Sequence, residues 1–266
     1  THRWLKAAGL KPETEGFIIA AQDQSLLTRW YQQNILKKPD VDPKCRLCGR
    51  FDETIDHLVS GCPELAKTEY IHRHNKAAAH MHWKIYREFG IEVKERWYEH
   101  EPETDTESAS FTILWDMPIH TDRTTAANTP DIITDKWYEH EPETVMHNKD
   151  NNITIMWGMP VNTDRTITAN RPDIIVKDSV NSTCKLIDMT VASDRNIALK
   201  ETEKKSKYRD LELEIQRMWH TKTVVIPVVV GALGTVKKSM VENIKKVSER
   251  ATMTEIQKIC MLGSAR

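Results

Sequence analysis

A chain of 266 residues is long enough to form one or two domains with hydrophobic cores of their own. With 39% hydrophobic and 29% charged residues, its composition is typical of a soluble globular protein and excludes a disordered tail. The net charge of -1 lacks the basic surplus of many nucleic-acid-binding proteins. We see no secretory signal, and the longest apolar run, Val224 to Ala232, is too short to span a membrane, so we expect an intracellular protein.

Two helical regions surround a cysteine-rich stretch near the start of the chain. The pattern predicts a helical linker over residues 1–43, interrupted by a Gly-Leu-Lys-Pro sequence, and a helical spacer over residues 64–96. The spacer contains four histidines, at His72, His74, His80 and His82. Only some of them can share one face of a helix, so we interpret them as solvated or backbone-contacting side chains and not as a second metal site.

The cysteine-rich stretch, residues 44–63, has the ligand spacing of a CCHC zinc knuckle. Its four candidate ligands are Cys45, Cys48, His57 and Cys62. Three thiolates and one imidazole are a ligand set that tetrahedral zinc commonly has in structural sites, so we predict structural Zn²⁺ here. Arg46 and Arg50 favour a knuckle that contacts nucleic acid, although a knuckle that only fastens a loop has the same ligands.

A tandem duplication occupies the middle of the chain. The sequence WYEHEPET begins at Trp97 and again at Trp137, and two related segments ending in Pro-Asp-Ile-Ile follow. We treat residues 97–136 as a partial duplicated segment, whose Thr-Pro-Asp at Asp131 lacks both an arginine and a following acidic strand. This copy is cut off before a partner strand of its own, so it either competes with the second copy for the same edge of the sheet or forms a poorly packed loop.

Residues 137–266 predict an α/β domain, a mixed sheet flanked by helices. We predict strands at 153–157, at 174–176 with a partner strand after it, and at 223–230. Between them, Asp194 is the expected N-cap of one long helix that runs from about Arg195 to Trp219, and Thr235 the expected cap of a further helix.

Two acids mark a candidate catalytic centre in this domain. Asp173 follows Arg171 and Pro172, and Asp188 lies on the next predicted strand. A hairpin that turns between Val180 and Asn181 places the two carboxylates opposite each other, close enough to share a divalent cation. Hard oxygen donors of this kind suit Mg²⁺, which can activate water for phosphodiester hydrolysis.

Restriction-like nucleases usually have a lysine two residues after the second acid, but this chain has Thr190 there. The predicted long helix offers replacements on one face, among them Lys204, Lys207 and Tyr208. A lysine from this face could orient the attacking water or stabilise the charge that develops on the phosphate. The abundant lysines of this region could equally be solvated helix surface.

The order of these features resembles the C-terminal region of non-LTR retrotransposon polyproteins that carry a restriction-like PD-(D/E)XK endonuclease. The features are the CCHC knuckle, the helical spacer, Arg-Pro-Asp, the acid on the next strand, Lys-x-x-Lys-Tyr on the next helix, and the strand VVIPVVVGALG. The resemblance implies a restriction-endonuclease-like fold, with Asp173 and Asp188 as Mg²⁺ ligands. It also implies Lys204 or Lys207 as the displaced lysine, Tyr208 as its companion, and Arg171 as a DNA contact.

The function that this resemblance implies is a Mg²⁺-dependent nick in target DNA that primes reverse transcription. Its partners would be the DNA target and element RNA, its location the nucleus, and no membrane is involved. No polymerase precedes the knuckle, so we expect that the chain alone cannot prime and extend. The alternatives are a catalytically silent nucleic-acid-binding fragment of a decayed retroelement, or a structural remnant with no selected function.

Overall fold

A computed structural model describes residues 3–99, 107–108, 111–115, 144–148, 153–157, 169–178 and 181–264. Within these ranges the protein is a mixed α/β structure with a mixed sheet and flanking helices. The helices are α1 (Arg3–Ala8), α2 (Pro12–Gln22), α3 (Arg29–Asn34), α4 (Pro63–Ala66), α5 (Glu69–Glu88), α6 (Ile197–Lys207), α7 (Arg209–Trp219), α8 (Lys238–Val247) and α9 (Met253–Ser264). The strands are β1 (Glu107–Ser108), β2 (Phe111–Trp115), β3 (Thr144–Asn148), β4 (Ile153–Trp157), β5 (Ile174–Asp178), β6 (Thr183–Ala192) and β7 (Lys222–Gly231).

The strands of the described ranges form one sheet in chain order, β1 to β7. Successive strands from β1 to β6 are antiparallel. Strand β7 runs parallel to β6. This direction is shown by two backbone hydrogen bonds, from Lys222 N–H to the Ser182 carbonyl at the start of the strands and from Ala232 N–H to the Ala192 carbonyl at their end. The antiparallel pairs and this parallel pair make the sheet mixed, and the connection from β6 to β7 contains α6 and α7.

The described strands of the duplicated segment extend this sheet. Strand β2 pairs with β3 on one side, while β4 pairs with β5 on the other, so the first copy does not displace the second from β5. The strand expected to lack a partner is the one that follows Asp131, and both lie outside the described residues, so this expectation stays a prediction.

The predicted long helix is two helices and a short 3₁₀ turn, Asp194–Asn196. The break between α6 and α7 is at Tyr208, whose φ of -99° and ψ of 9° leave the α-helical region. Tyr208 is buried and its hydroxyl makes hydrogen bonds, so tertiary contacts outweigh helix continuity at this residue.

The predicted helix caps at Asp194 and Thr235 are also wrong. Neither side chain caps a helix, because the Asp194 carboxylate accepts hydrogen bonds from the Leu233 backbone and the Thr235 hydroxyl instead. The same carboxylate lies against Gly231, where a Cβ would come within 2.2 Å of Asp194 Oδ1. The aspartate therefore fastens the loop after β7, and a glycine at 231 makes its approach possible.

The described residues divide into two compact units. The first combines residues 1–100, 189–203 and 227–266, and the second combines residues 101–188 and 204–226. In the second unit, one face of β5 and β6 packs against α7 through a buried cluster of Ile175, Cys184, Leu186, Tyr208, Leu211 and Ile215. None of the described helices has the length and apolar character to cross a membrane.

Candidate functional site

The first candidate site is the cysteine-rich stretch in the first unit. The ligand atoms of Cys45, Cys48, His57 and Cys62 all lie within 4.8 Å of one another, as a single bound metal requires. Cys48 Sγ is 3.3 Å from His57 Nε2. Three sulfurs and one ring nitrogen at this separation fit tetrahedral Zn²⁺, so the four residues form a site that can bind zinc.

A tight turn presents the first two cysteines. The backbone N–H of Gly49 donates to the Cys45 carbonyl, and Gly49 has a φ of +66° that favours glycine. Backbone N–H groups of Phe51 and Arg50 lower the pKa of the Cys48 thiol, whereas burial raises the pKa of Cys45. The turn therefore stabilises a thiolate at Cys48 before any metal arrives, and Cys45 depends more on the metal itself.

Two residues that sequence reasoning missed hold this site together. The Tyr70 hydroxyl accepts a hydrogen bond from the Cys62 backbone N–H at 3.0 Å and lies 3.1 Å from the His57 carbonyl, so it links the two later ligands. The buried carboxylate of Glu53 accepts hydrogen bonds from the backbone N–H of Arg29 and from Arg46. Burial alone would raise the pKa of Glu53, but these donors lower it, so Glu53 is a charged anchor.

The two arginines predicted to contact nucleic acid have different surroundings. Arg46 places Nη2 2.8 Å and Nε 2.9 Å from the two oxygens of Glu53, a bidentate ion pair that orients its guanidinium toward the knuckle itself. Arg50 lines an open concavity with Phe51, whose ring is 55% exposed and lies 5.5 Å from the His57 ring. Arg50 is therefore the better placed of the two for an external anion.

The second candidate site lies beside the first residue of β5 and the middle of β6. In the hairpin, Ile174 is opposite Ile187 and Ile175 is opposite Leu186, which is the register predicted from the sequence. The next positions outward are Asp173 and Asp188. Because side chains alternate between faces, both acids are on the face of Ile175 and Leu186, the face covered by Tyr208.

Asp188 is 2% exposed and has two close partners on the broken helix. Lys204 Nζ is 2.7 Å from its Oδ2, and the Tyr208 hydroxyl is 2.6 Å from its Oδ1. The same hydroxyl is 2.9 Å from the Arg171 carbonyl oxygen and accepts a hydrogen bond from Lys207 Nζ at 2.9 Å. One tyrosine oxygen therefore joins the Arg-Pro-Asp segment, the second acid and the second lysine.

The charges in this cluster interact strongly. Burial and the neighbouring Asp173 raise the pKa of Asp188, and Lys204 and Tyr208 only partly oppose the shift. Burial and Lys204 lower the pKa of Lys207, and burial with Asp188 raises the pKa of Tyr208. Carboxylates and lysines whose pKa values shift in this way are typical of functional sites.

The histidines of α5 do not form a second metal site among the described residues. His72 is exposed and His74 Nε2 is 3.1 Å from the Met189 carbonyl, as expected for solvated or backbone-contacting side chains. His80 and His82 are 2% and 1% exposed, so the solvated alternative does not apply to them. Both lie on the buried side of the helix, where the His80 ring packs against Trp83 and Trp97.

Comparison with known proteins assigns no function to either site. No protein-family model matches the chain, and no match was found among curated proteins.

Proposed function

We propose that the protein is a Mg²⁺-dependent DNA endonuclease with a restriction-like PD-(D/E)XK site, acting as part of a non-LTR retrotransposon protein in the nucleus. The observation that supports this most directly is the ion pair of Lys204 with buried Asp188, next to Asp173 in the hairpin register. Restriction-like nucleases usually have a lysine at the position of Thr190, and the ion pair of Lys204 from α6 supports Lys204 as its displaced counterpart.

The residues present fit a divalent cation. Each carboxylate oxygen can accept more than one bond, so the contacts of Asp188 with Lys204 and Tyr208 leave acceptor capacity for a metal. Asp173 and Asp188 would hold the ion. When bound, Mg²⁺ would supply an activated water and would stabilise the leaving oxygen of a phosphodiester.

The protein's own groups would act around that ion. Lys204 carries the charge that can orient water or stabilise negative charge on the phosphate, because its ammonium is already fixed 2.7 Å from Asp188. Tyr208 is a positioning residue, since its hydroxyl fixes Asp188 and the Arg171 carbonyl together. Arg171 is exposed at this edge and is our candidate for a contact with the DNA backbone.

A plasmid-nicking assay with magnesium tests the proposal. We expect wild-type protein to convert supercoiled plasmid to the nicked form and Asp173→Ala to lose this activity. Asp131→Ala is the matched control, because it changes the equivalent Pro-Asp of the first copy, which lacks the acidic strand. If Asp173→Ala retained full activity, or if Asp131→Ala abolished it, the assignment of this site would be wrong.

A second candidate function is nucleic-acid binding by the zinc knuckle without cleavage. Arg50 lines the same concavity as the exposed ring of Phe51, so it provides a cation beside apolar surface, which suits single-stranded DNA or RNA. Fluorescence anisotropy with a labelled single-stranded oligonucleotide tests this role. We expect Arg50→Ala to weaken binding more than Arg46→Ala, since the Arg46 guanidinium is paired with Glu53.

A further inference from the structure

An arginine is buried inside the first unit without an acidic partner. Arg73 of α5 is 2% exposed, and its Nη1 donates to the Val59 carbonyl at 2.8 Å and to the Ser264 hydroxyl at 2.6 Å. Its guanidinium also lies 4.9 Å from the centre of the Tyr70 ring. All of these partners are neutral, so none of them balances the positive charge.

The imbalance is unusual for a buried charge. Among the residues that the structure describes, no carboxylate comes within ion-pair distance of Arg73, and its buried Nε makes no hydrogen bond. Burial lowers the pKa of Arg73, the direction expected when a cation loses water and gains no anion. Buried guanidinium groups are normally paired, because removal of the charge from water is expensive.

Arg73 lines a cavity of about 370 Å³. This volume falls in the range of small-molecule binding sites. The lining is mostly apolar, and includes Phe17, Leu26, Ile55, Leu58, Val59 and Leu65. The acid among the lining residues is Glu69, which is exposed one turn before Arg73 on α5 and makes no ion pair with it.

We propose that this cavity binds a small organic carboxylate with an apolar body, whose carboxylate pairs with Arg73. The uncompensated guanidinium selects an anion, because a charged hydrogen bond in an apolar cavity is far stronger than a neutral one. The apolar lining selects a hydrocarbon or aromatic body and disfavours a nucleotide, whose sugar and phosphates would lose their hydrogen bonds to water.

The arginine is held in place before any ligand binds. A Cβ added at Gly263 of α9 would come within 2.8 Å of Arg73 Cγ, so the helix passes directly against the arginine stem. With the two hydrogen bonds from Nη1, this contact fixes the side chain in one arrangement. A fixed guanidinium loses little conformational entropy on binding, which favours affinity for a small ligand.

Calorimetric titration of the zinc-loaded full chain tests the site, with octanoate as the anionic probe and octanol as its neutral counterpart. We expect octanoate to bind at least about tenfold more tightly than octanol, the factor of one charged hydrogen bond. We expect Arg73→Met to abolish this preference and Leu65→Trp, which fills the cavity, to abolish binding of both. Arg87→Met is the matched control, because Arg87 is exposed on the same helix.

The comparison of the two probes needs only the wild-type protein, so it decides the question even if Arg73→Met does not fold. Equal affinities for octanoate and octanol, or no binding of octanoate, would overturn the proposal. So would octanoate binding that persists in Leu65→Trp, since the ligand would then lie elsewhere. The proposal concerns the first unit alone and does not depend on nuclease activity.

Discussion

Asp188 shows how one residue can be predicted from sequence while its surroundings cannot. Its partner across the hairpin follows from the turn position and strand alternation. Its ion pair with Lys204 and its hydrogen bond with Tyr208 depend on a helix break that no local pattern indicated. The sequence left Lys204 and Lys207 as equal candidates, and the contacts with Asp188 now favour Lys204.

We expect Lys204→Met to reduce plasmid nicking about a hundredfold, comparable to the loss of one transition-state donor in other enzymes. Lys207→Met should have a smaller effect, because the Lys207 ammonium is hydrogen-bonded to the Tyr208 hydroxyl, whereas Lys204 contacts Asp188 directly. Initial rates of nicking at saturating magnesium measure both effects. A larger loss for Lys207→Met would transfer the role to that lysine.

The zinc ligands allow a prediction that is independent of catalysis. We expect one equivalent of zinc in the wild-type protein and none in the Cys45→Ser, Cys48→Ser double variant, because two of the four ligands are lost. Metal analysis by mass spectrometry after dialysis measures this. Cys184→Ser, outside the cluster, is the control and should keep its zinc. Zinc retained by the double variant would disprove the assignment.

Among the secondary-structure elements, the duplicated strands are the easiest to test. Strand β4 pairs with β5 directly, so the first copy adds strands beyond β3 without contributing to the β5–β6 hairpin. Deletion of residues 97–136, one repeat length, should therefore leave magnesium-dependent nicking within about twofold of wild type, and the thermal midpoint nearly unchanged. Loss of nicking in a folded deletion variant would mean that the first copy supports the site.

Elements were predicted well where local patterns decide them and poorly where distant contacts do. Strand β4 matches its predicted limits, and β5 and β6 form the predicted hairpin, because β-branched runs and a turn specify them locally. The predictions of helix caps at Asp194 and Thr235 were wrong because these two side chains are hydrogen-bonded to each other across a loop. Glu53 and Tyr70 were missed for a similar reason, since their hydrogen-bond partners are separated from them along the chain and meet them only in the folded protein.

For the whole molecule, we predict a loss of stability in mild acid that originates at His80. Burial lowers the pKa of His80 from 6.5 to about 4, with Glu255 opposing this shift and Lys84 adding to it. The unfolded chain therefore takes up a proton near pH 6.5 that the folded protein resists. The contribution of neutral His80 to the free energy of unfolding is therefore complete above pH 6.5. It is lost as the pH falls toward 4, and the total loss is about 3 kcal/mol.

Urea unfolding at a series of pH values measures this effect. We expect His80→Phe to reduce the pH dependence between 6.5 and 4.5, because neither ring nitrogen of His80 has a hydrogen-bond partner among the described residues. His57, whose pKa burial also lowers, keeps its own contribution in this window. The lowered pKa of Glu255 acts only below that window, and it has the same sign. The matched control is His72→Phe, which changes an exposed histidine of the same helix. An unaltered pH dependence in His80→Phe would contradict the prediction.

The order of the strands also constrains how this sheet could have grown. Within the described residues, the first copy adds the antiparallel strands β1 and β2 on the β3 side of the sheet. Each strand in this order pairs only with its neighbours, so growth at this edge leaves the pairing of β4 with β5 and of β5 with β6 unchanged. The hairpin beside Asp173 and Asp188 therefore keeps its register when strands are gained at the far edge.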